Sequence, residues 1–574
     1  MDVDDAISRL GRYSKWQLLK YNLLSFGFNL SGSWQMVVII FAGMEPSHHC
    51  KVPDNSTINE TIPMETDDDG VSSLSKCSMY FNGTNETTSC SNGWEYSMEY
   101  GPTIITEWDL VCERNYYSEL SQSVFSGGVM VGAVLFTWLA DTFGRKPIHL
   151  FCQYVMVVLG VIIAFSPDIT TFIVLRFFIG ALREGSGLVA IVMCCELFPA
   201  SQRSIAGTAL QLHWSLCWML LALVAYFVRT WRYLLLITGL SCSFTIFYIW
   251  FVDESIPWLV ANGKLEKAER IIQSAAKFNK IQYPKYVFTK SDATYKEKNN
   301  ENGIKKLICY SKNDSKTVDK SSVKSYTILD ILKSKTLIFN TLIMCFLWFV
   351  NILVYYGLSL QTGYLAGNLY LNFFLSGLVE VPAYLAVTFS LNRYGRRWPV
   401  CIFHIMAGLF LIATILIPKK SASGTDLSAL VTTFSMIGKF AITASFAAVV
   451  LFSPEIYPTN LRNFGFGMGS FVGRIAGIIA PFSAYMAKTV PWVPATVFGV
   501  LSIVVGLMTL LLPETLGRPL PQTIEEVETW TRTLSPEEVL RWKETQERQR
   551  NIHHVESFVA NGDLAMELST PLKT

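Results

Sequence analysis

Two short polar phrases each occur twice in this chain, at nearly the same spacing. Glu196-Leu-Phe-Pro-Ala-Ser-Gln-Arg203 returns 259 residues later as Glu455-Ile-Tyr-Pro-Thr-Asn-Leu-Arg462. Asp141-Thr-Phe-Gly-Arg-Lys-Pro147 is echoed 251 residues later by Asn392-Arg-Tyr-Gly-Arg-Arg-Trp-Pro399. Each copy follows a long apolar stretch. The two repeats therefore predict that one membrane-embedded unit occurs twice, an organisation typical of transporters.

The hydropathy pattern predicts how many segments cross the membrane. Of the 574 residues, 51% are hydrophobic and only 16% are charged. Apolar runs of roughly 18–25 residues, long enough to span the hydrocarbon core, lie at 18–42, 119–140, 148–166, 171–195, 205–227, 232–252, 337–360, 365–389, 399–418, 428–452, 464–487 and 493–512.

These twelve spans fall into two groups of six. We predict an all-α membrane protein with two pseudo-symmetric six-helix bundles, 1–252 and 337–512. The basic segment 253–336 separates the bundles, and residues 513–574 form a tail.

The charges predict the orientation of the chain. The basic residues of four short loops all fall on one side of the membrane, which the positive-inside rule makes cytoplasmic, together with both termini. They are Arg145, Lys146, Arg203, Arg396, Arg397 and Arg462. The long segment 43–118, with three Lys/Arg against thirteen Asp/Glu, is then extracellular, and the predicted location is the plasma membrane.

The segment 43–118 also carries signs of an extracellular environment. It holds four glycosylation sequons, at Asn55, Asn59, Asn82 and Asn85. It holds an even number of cysteines, Cys50, Cys77, Cys90 and Cys112, which predict two disulfides with three pairings open. No metal-ligand spacing or cofactor motif occurs, so neither a metal nor a cofactor is expected.

The repeated phrases place charged residues at the cytoplasmic ends of the spans, where proline stops each helix. We expect an inner latch between the two bundles, formed when the protein is open outward and broken when it is open inward. Its members would be Asp141, Arg145, Glu196, Arg203, Arg396, Glu455 and Arg462. The alternative is that these residues only set the topology.

The repeats resemble those of the major facilitator superfamily. Three further phrases are similar to one branch of it, the organic cation, anion and zwitterion transporters. These are Glu107-Trp-Asp-Leu-Val-Cys112, Asp253-Glu-Ser-Ile-Pro-Trp-Leu259 and Pro513-Glu-Thr-Leu-Gly517. The resemblance covers nearly the whole chain and implies the major facilitator fold. Sugar porters share the second and third phrases but not the first.

Two charged residues inside predicted spans are candidates for substrate contact, because charge at this depth is costly and usually functional. They are Glu380 in the eighth span and Arg474 in the eleventh. Arg474 offers a fork of donors suited to a carboxylate. The alternative is that the two residues neutralise each other. By resemblance, the position of Arg474 carries an acidic residue in cation carriers and a basic residue in anion and carnitine carriers.

Aromatic residues complete the predicted site. The resemblance implies a cavity wall containing Trp348, Tyr355 and Phe446, with Trp214 and Gln211 contributed by the other half. Faces of Trp and Tyr attract quaternary or protonated amines. An amine-and-carboxylate pocket would follow from this aromatic set together with Arg474.

The sequence therefore predicts a carrier of small organic cations or zwitterions, carnitine-like substrates being favoured, that works by alternating access. An organic-anion carrier is the alternative, and a sugar porter or a non-transporting receptor fits less well. Sodium or proton coupling is left open. No catalytic residues or nucleotide-binding loop are found, and the net charge of +2 gives no reason to expect nucleic acid.

Overall fold

The structure is a computed structural model of the whole chain. It describes residues 3–11, 13–53, 57–66, 72–80, 86–97, 101–284, 287–288, 298–299, 305–306, 331, 333–418, 426–518 and 520–530. Asn55, Asn82, Asn85 and the tail beyond 530 lie outside these residues. Asn59 lies in a short helix, Ile58–Thr61.

Twelve helices in the described part of the chain are long and apolar enough to cross a membrane, which confirms the predicted fold class. In chain order, spans 1 to 12 are Lys15–Ala42, Cys112–Phe143, Arg145–Ile163, Ile169–Glu196, Ile205–Phe227, Trp231–Phe251, Lys335–Tyr364, Leu369–Tyr394, Arg397–Leu416, Ser428–Glu455, Arg462–Thr489 and Trp492–Thr509.

Local sequence explains where several spans begin and end. Ser14 starts span 1 through a capping box with Gln17, and the Asp168 carboxylate accepts the first free N–H groups of span 4. Span 4 ends at Glu196 and span 10 at Glu455, each three residues before the proline of the repeated phrase. The prolines therefore end these helices as the sequence predicts.

Two hydrophobic cores organise the spans into halves. One is built mainly from spans 1–6 and the other from spans 7–12. Between the halves, span 5 packs on span 8, and span 2 packs on span 11. Since spans 2 and 8 occupy equivalent positions in the two repeats, as do spans 5 and 11, the interface follows the pseudo-symmetry.

Short elements cover the two ends of the bundle. On the side called here the loop side, the segment between spans 1 and 2 forms three antiparallel pairs: His48–Cys50 with Trp94–Tyr96, Met64–Thr66 with Ser72–Leu74, and Ser78–Tyr80 with Thr87–Ser89. On the opposite, terminal side lie the helices Val3–Ser8, Ile256–Ala261, Leu265–Asn279 and Ile524–Trp530. One further pair joins Lys298–Asn299 to Lys305–Lys306.

Disulfides tie the loop-side segment together. The structure joins Cys50 to Cys90 and Cys77 to Cys112. The sequence left this pairing open among three, because cysteine spacing alone does not determine which sulfur atoms meet.

Spans 2 and 4 approach so closely that glycine is needed between them. A Cβ atom added at Gly128 would lie 2.0 Å from the carbonyl oxygen of Phe177, and one at Gly132 would lie 2.1 Å from that of Ala181. A Cβ atom at Gly127 would meet no atom within 4 Å. Small residues at such positions let helix backbones pack directly on each other.

We predict that Gly128→Leu destabilises the protein, because its side chain must push spans 2 and 4 apart. Overpacking of this kind costs about 1–3 kcal/mol or more. Gly127→Leu is the matched control, since it makes the same chemical change one residue away in open space. Thermal unfolding of the purified variants measures the difference. Equal melting temperatures for the two variants would contradict the close packing.

Candidate functional site

The first repeated phrase builds a charge cluster at the terminal end of spans 2, 3 and 4. Arg145 contacts Asp141 at 2.9 Å and lies 3.9 Å from Glu196. Glu254 accepts hydrogen bonds from the backbone N–H groups of Arg145 and Lys146, at 3.0 and 3.2 Å. All of these residues belong to the first bundle or to the start of the segment that follows it.

The second half repeats the arrangement at its own terminal end. Arg396 donates to both carboxylate oxygens of Glu455, and its Nε lies 3.0 Å from Oε2. Glu514 accepts from the backbone N–H groups of Arg396 and Arg397, at 2.8 and 3.1 Å. Thr515 also donates to Glu455, at 2.5 Å.

Glu254 and Glu514 were not predicted as members of these clusters. A signal for them exists, because Glu254-Ser255 and Glu514-Thr515 are similar dipeptides 260 residues apart. They form a third repeat with nearly the spacing of the first. In each cluster the hydroxyl group of the second residue donates to the glutamate of the repeated phrase.

The two remaining predicted latch residues also find their partners within their own halves. Arg203 contacts Asp4 of the N-terminal helix at 2.8 Å. Arg462 donates to the carbonyl oxygen of Pro454 at 3.0 Å. Within the part of the chain that the structure describes, every polar contact of the seven predicted latch residues therefore stays within one bundle and the segment that follows it. The contact between the bundles that the sequence predicts for an outward-open carrier is not formed in this conformation.

On the loop side, by contrast, polar contacts cross between the halves. Lys488 of span 11 lies 2.8 Å from Glu119 of span 2 and 3.1 Å from Glu45. Beside it, Phe41 of span 1 packs on Phe373 of span 8, with ring centroids 4.9 Å apart. The structure is thus closed on the loop side.

The phrase Glu107-Trp-Asp-Leu-Val-Cys112 has a structural role on this side. Glu107 accepts hydrogen bonds from the Trp231 indole, at 2.7 Å, and from Arg232. Burial raises the pKa of Glu107, but these hydrogen bonds outweigh burial and hold that pKa below its usual value. Asp109 accepts a hydrogen bond from Tyr96 at 2.9 Å. The phrase therefore anchors the loop-side segment to the start of span 6.

Arg474 lies where the two halves meet. Its guanidinium contacts Glu184 of span 4 at 2.8 Å, and the other oxygen of Glu184 accepts from Arg183. The side chains of Arg474 and Arg183 are each 15% exposed, and that of Glu184 is 9% exposed. Arg474 thus binds an acid of the opposite half, and the alternative that it pairs with Glu380 is not what the structure shows.

Glu380 is paired with a lysine that is not among the predicted site residues. Lys439 of span 10 lies 3.3 Å from Glu380, and their side chains are 3% and 0% exposed. Ser215 of span 5 and Tyr355 of span 7 donate to the same carboxylate, at 3.1 and 2.7 Å. The signal for Lys439 was available, because it is a charged residue inside the predicted span 428–452.

The predicted aromatic residues lie in the same region. Trp214 of span 5 donates its indole N–H to the Tyr355 hydroxyl at 3.1 Å, which joins the two halves. Phe446 packs against Trp348 and Tyr355, with centroid distances of 5.8 and 5.7 Å.

Gln211 is a predicted site residue whose side chain does not join the charged cluster. It is half-buried on span 5, one turn from Ser215. Among the described residues, no hydrogen bond joins its side-chain amide to the cluster.

Two basic groups already cover aromatic faces of the site. The ammonium group of Lys439 lies 3.5 Å from the ring centroid of Tyr355 and 5.1 Å from that of Trp218. The guanidinium of Arg183 lies 5.5 Å from the ring of Trp214. The chain thus places its own cations where the sequence predicted a substrate amine.

Comparison with known proteins identifies the class. The family model "Sugar (and other) transporter" matches residues 69–527. The solved inward-open xylose transporter XylE from E. coli has the same fold, with a TM-score of 0.58, 14% identity, and coverage of 89% of this chain and 99% of that chain. The fold is that of the major facilitator superfamily.

Relatives narrow the class further. The "Organic cation transporter protein" of Drosophila melanogaster is 34% identical and covers 95% of this chain and 98% of its own. Human "Organic cation/carnitine transporter 2" is 32% identical, and zebrafish (Danio rerio) "Solute carrier family 22 member 6" is 31% identical; each alignment covers 92% of this chain and 94% of the relative.

The chain belongs to the organic cation, anion and zwitterion transporter family, as its motifs predict. It is therefore a membrane transporter of small organic substrates and not an enzyme.

We predict that Lys488→Met opens the loop side, because Glu45 and Glu119 then lie close together without a cation between them. A shift of about 1.4 kcal/mol changes the population of the open state tenfold. A cysteine introduced at Met44, which packs at this closure, should react about tenfold faster with a thiol reagent, as quantified by mass spectrometry. Lys488→Arg keeps the charge and should react like the parent. Unchanged reactivity in Lys488→Met would show that Lys488 does not hold the closure.

Proposed function

We propose that this chain is a plasma-membrane carrier that moves organic ions bearing a carboxylate, with both termini in the cytoplasm. The main observation behind this proposal is the position of Arg474, whose guanidinium lies at the junction of the two halves. A substrate in an alternating-access carrier binds at this junction, where both halves can reach it. A guanidinium fork binds a carboxylate through two parallel hydrogen bonds.

The charge balance of the site supports a substrate with negative charge. Three basic residues, Arg183, Lys439 and Arg474, face two carboxylates, Glu184 and Glu380. The group therefore carries one excess positive charge in surroundings with little water. A substrate carboxylate compensates that charge, whereas a simple cation adds to it.

The occupied aromatic faces favour an organic anion over a zwitterion. Lys439 covers Tyr355 and neutralises Glu380, so neither group is free for a substrate amine in this conformation. This observation shifts the balance from the carnitine-like substrate that the sequence favours towards the organic-anion alternative.

A carnitine-like zwitterion is the second candidate. Trp348 and Phe446 carry no basic side chain of the protein among the described residues, and their rings lie 5.8 Å apart. Trp348 is 4% exposed and also packs against Phe466 in this conformation, so a quaternary amine reaches its face only after the surrounding rings move. One relative, 32% identical, is named an organic cation/carnitine transporter.

The contacts at the two ends of the bundle support alternating access. The terminal-side clusters close within each half, whereas Lys488 joins the halves on the loop side. With the loop side extracellular, this is an inward-facing arrangement. In the outward-facing state, Arg145, Glu196, Arg396 and Glu455 would then form the predicted cytoplasmic latch between the halves.

We predict that Arg474→Ala sharply lowers uptake of a labelled dicarboxylate at subsaturating concentration, because the carboxylate loses a charged hydrogen-bond donor. Such a loss is worth about 1.5–3 kcal/mol, roughly ten- to hundredfold in affinity. Uptake of the dicarboxylate, carnitine and a quaternary amine is measured in cells, normalised to the surface amount of each variant. Arg474→Lys keeps the charge without the fork and should retain part of the uptake.

The same assay separates the candidates. Dicarboxylate uptake without carnitine uptake supports the anion carrier, and uptake of carnitine supports the zwitterion carrier. Entry of the quaternary amine alone, unaffected by Arg474→Ala, would contradict both. Repeating the assay with and without sodium and proton gradients identifies the coupling ion.

A further inference from the structure

Glu184 occupies the position that a substrate carboxylate would need. Its oxygen Oε1 lies 2.8 Å from the guanidinium of Arg474, and Glu184 is the acidic partner that the structure gives this arginine. A second carboxylate cannot approach the same guanidinium closely without repulsion from Glu184, and this repulsion is strong where water is scarce.

The contact also joins the two halves. Glu184 lies on span 4 of the first half, and Arg474 lies on span 11 of the second. The other two ion pairs of the site each lie within one half: Lys439 with Glu380 in the second, and Arg183 with Glu184 in the first. Glu184 with Arg474 is therefore the ion pair of this central cluster that is strained when the halves move apart.

Arg183 lets Glu184 release Arg474 at low cost. It adjoins Glu184 on span 4 and donates to its second oxygen, so Glu184 keeps a cationic partner when Arg474 moves away. Arg183 is itself held by the carbonyl oxygen of Gly32 at 3.3 Å. Without such a second partner, the released carboxylate would stay buried and unpaired, which is strongly unfavourable.

We propose that Glu184 is an internal competitor of the substrate: in the empty carrier it holds Arg474, and the substrate carboxylate must displace it. The displacement exchanges a contact between the halves for a contact with the substrate. Glu184 thereby sets the affinity for carboxylates and couples binding to the movement of the halves. This inference rests on the proposed function.

Glu184→Gln tests the competition. Glutamine has the same shape but no charge, so Arg474 is free for the substrate. Both KM for dicarboxylate uptake and Kd, measured by ligand-induced thermal stabilisation of the purified protein, should fall about tenfold. The maximal rate should fall as well, because the tightly held substrate leaves slowly.

Two further variants keep the test decisive. Glu184→Asp retains the charge on a side chain one methylene shorter, so its KM should lie between those of wild type and Glu184→Gln. This variant tests the competition if the glutamine variant does not fold. Glu380→Gln removes a negative charge from the same site without freeing Arg474, so it controls for a general electrostatic effect and should lower KM much less.

The outcomes separate this inference from the proposed function. If Arg474→Ala transports the dicarboxylate normally, the proposed function is wrong. If Arg474→Ala loses uptake while Glu184→Gln leaves KM unchanged or raises it, the competition is wrong and Glu184 only positions Arg474. An equal fall of KM in Glu184→Gln and Glu380→Gln would also overturn the competition.

Discussion

Pairing of charge inside the membrane is the constraint on which the rest of this structure depends. An unpaired charge at this depth is costly, so each basic group of the central cluster must find an acid, a polar group or an aromatic face. Lys439 finds Glu380 within the second half, and Arg474 finds Glu184 in the first. With Arg183 present, the cluster keeps one excess positive charge, and this excess is the physical reason for expecting a carboxylate.

Whether a contact lies within a half or between halves decides what it can do. The clusters around Glu196 and Glu455 each join helix ends of one half on the terminal side. Lys488 with Glu119, Arg474 with Glu184, Ser215 with Glu380 and Trp214 with Tyr355 cross the interface. In the alternating-access mechanism that we propose, these contacts break or change partners when the halves rock. Arg474 is also the proposed substrate-binding residue, so the proposal links occupancy of the site to the conformational change.

The sequence predicted the fold because the fold follows from local patterns. Twelve apolar runs and the repeated phrases around Glu196 and Glu455 define the spans and their duplication. The partners of the charged residues were not predictable in this way. Arg474 and Glu380 were identified as charges in spans, but the sequence could not show that they bind Glu184 and Lys439, because pairing depends on how helices from different parts of the chain rotate towards each other. The disulfide pairing was open for the same reason.

A double-mutant cycle on Glu184 and Arg474 tests the central claim most directly. Thermal unfolding is measured for Glu184→Gln, Arg474→Gln and the double variant. The account predicts that the double variant loses less stability than the sum of the single losses, by about 1–3 kcal/mol, because Glu184→Gln leaves the Arg474 guanidinium without its acid and Arg474→Gln leaves Glu184 with Arg183 alone. Losses that add to within about 0.5 kcal/mol would contradict the ion pair across the two halves.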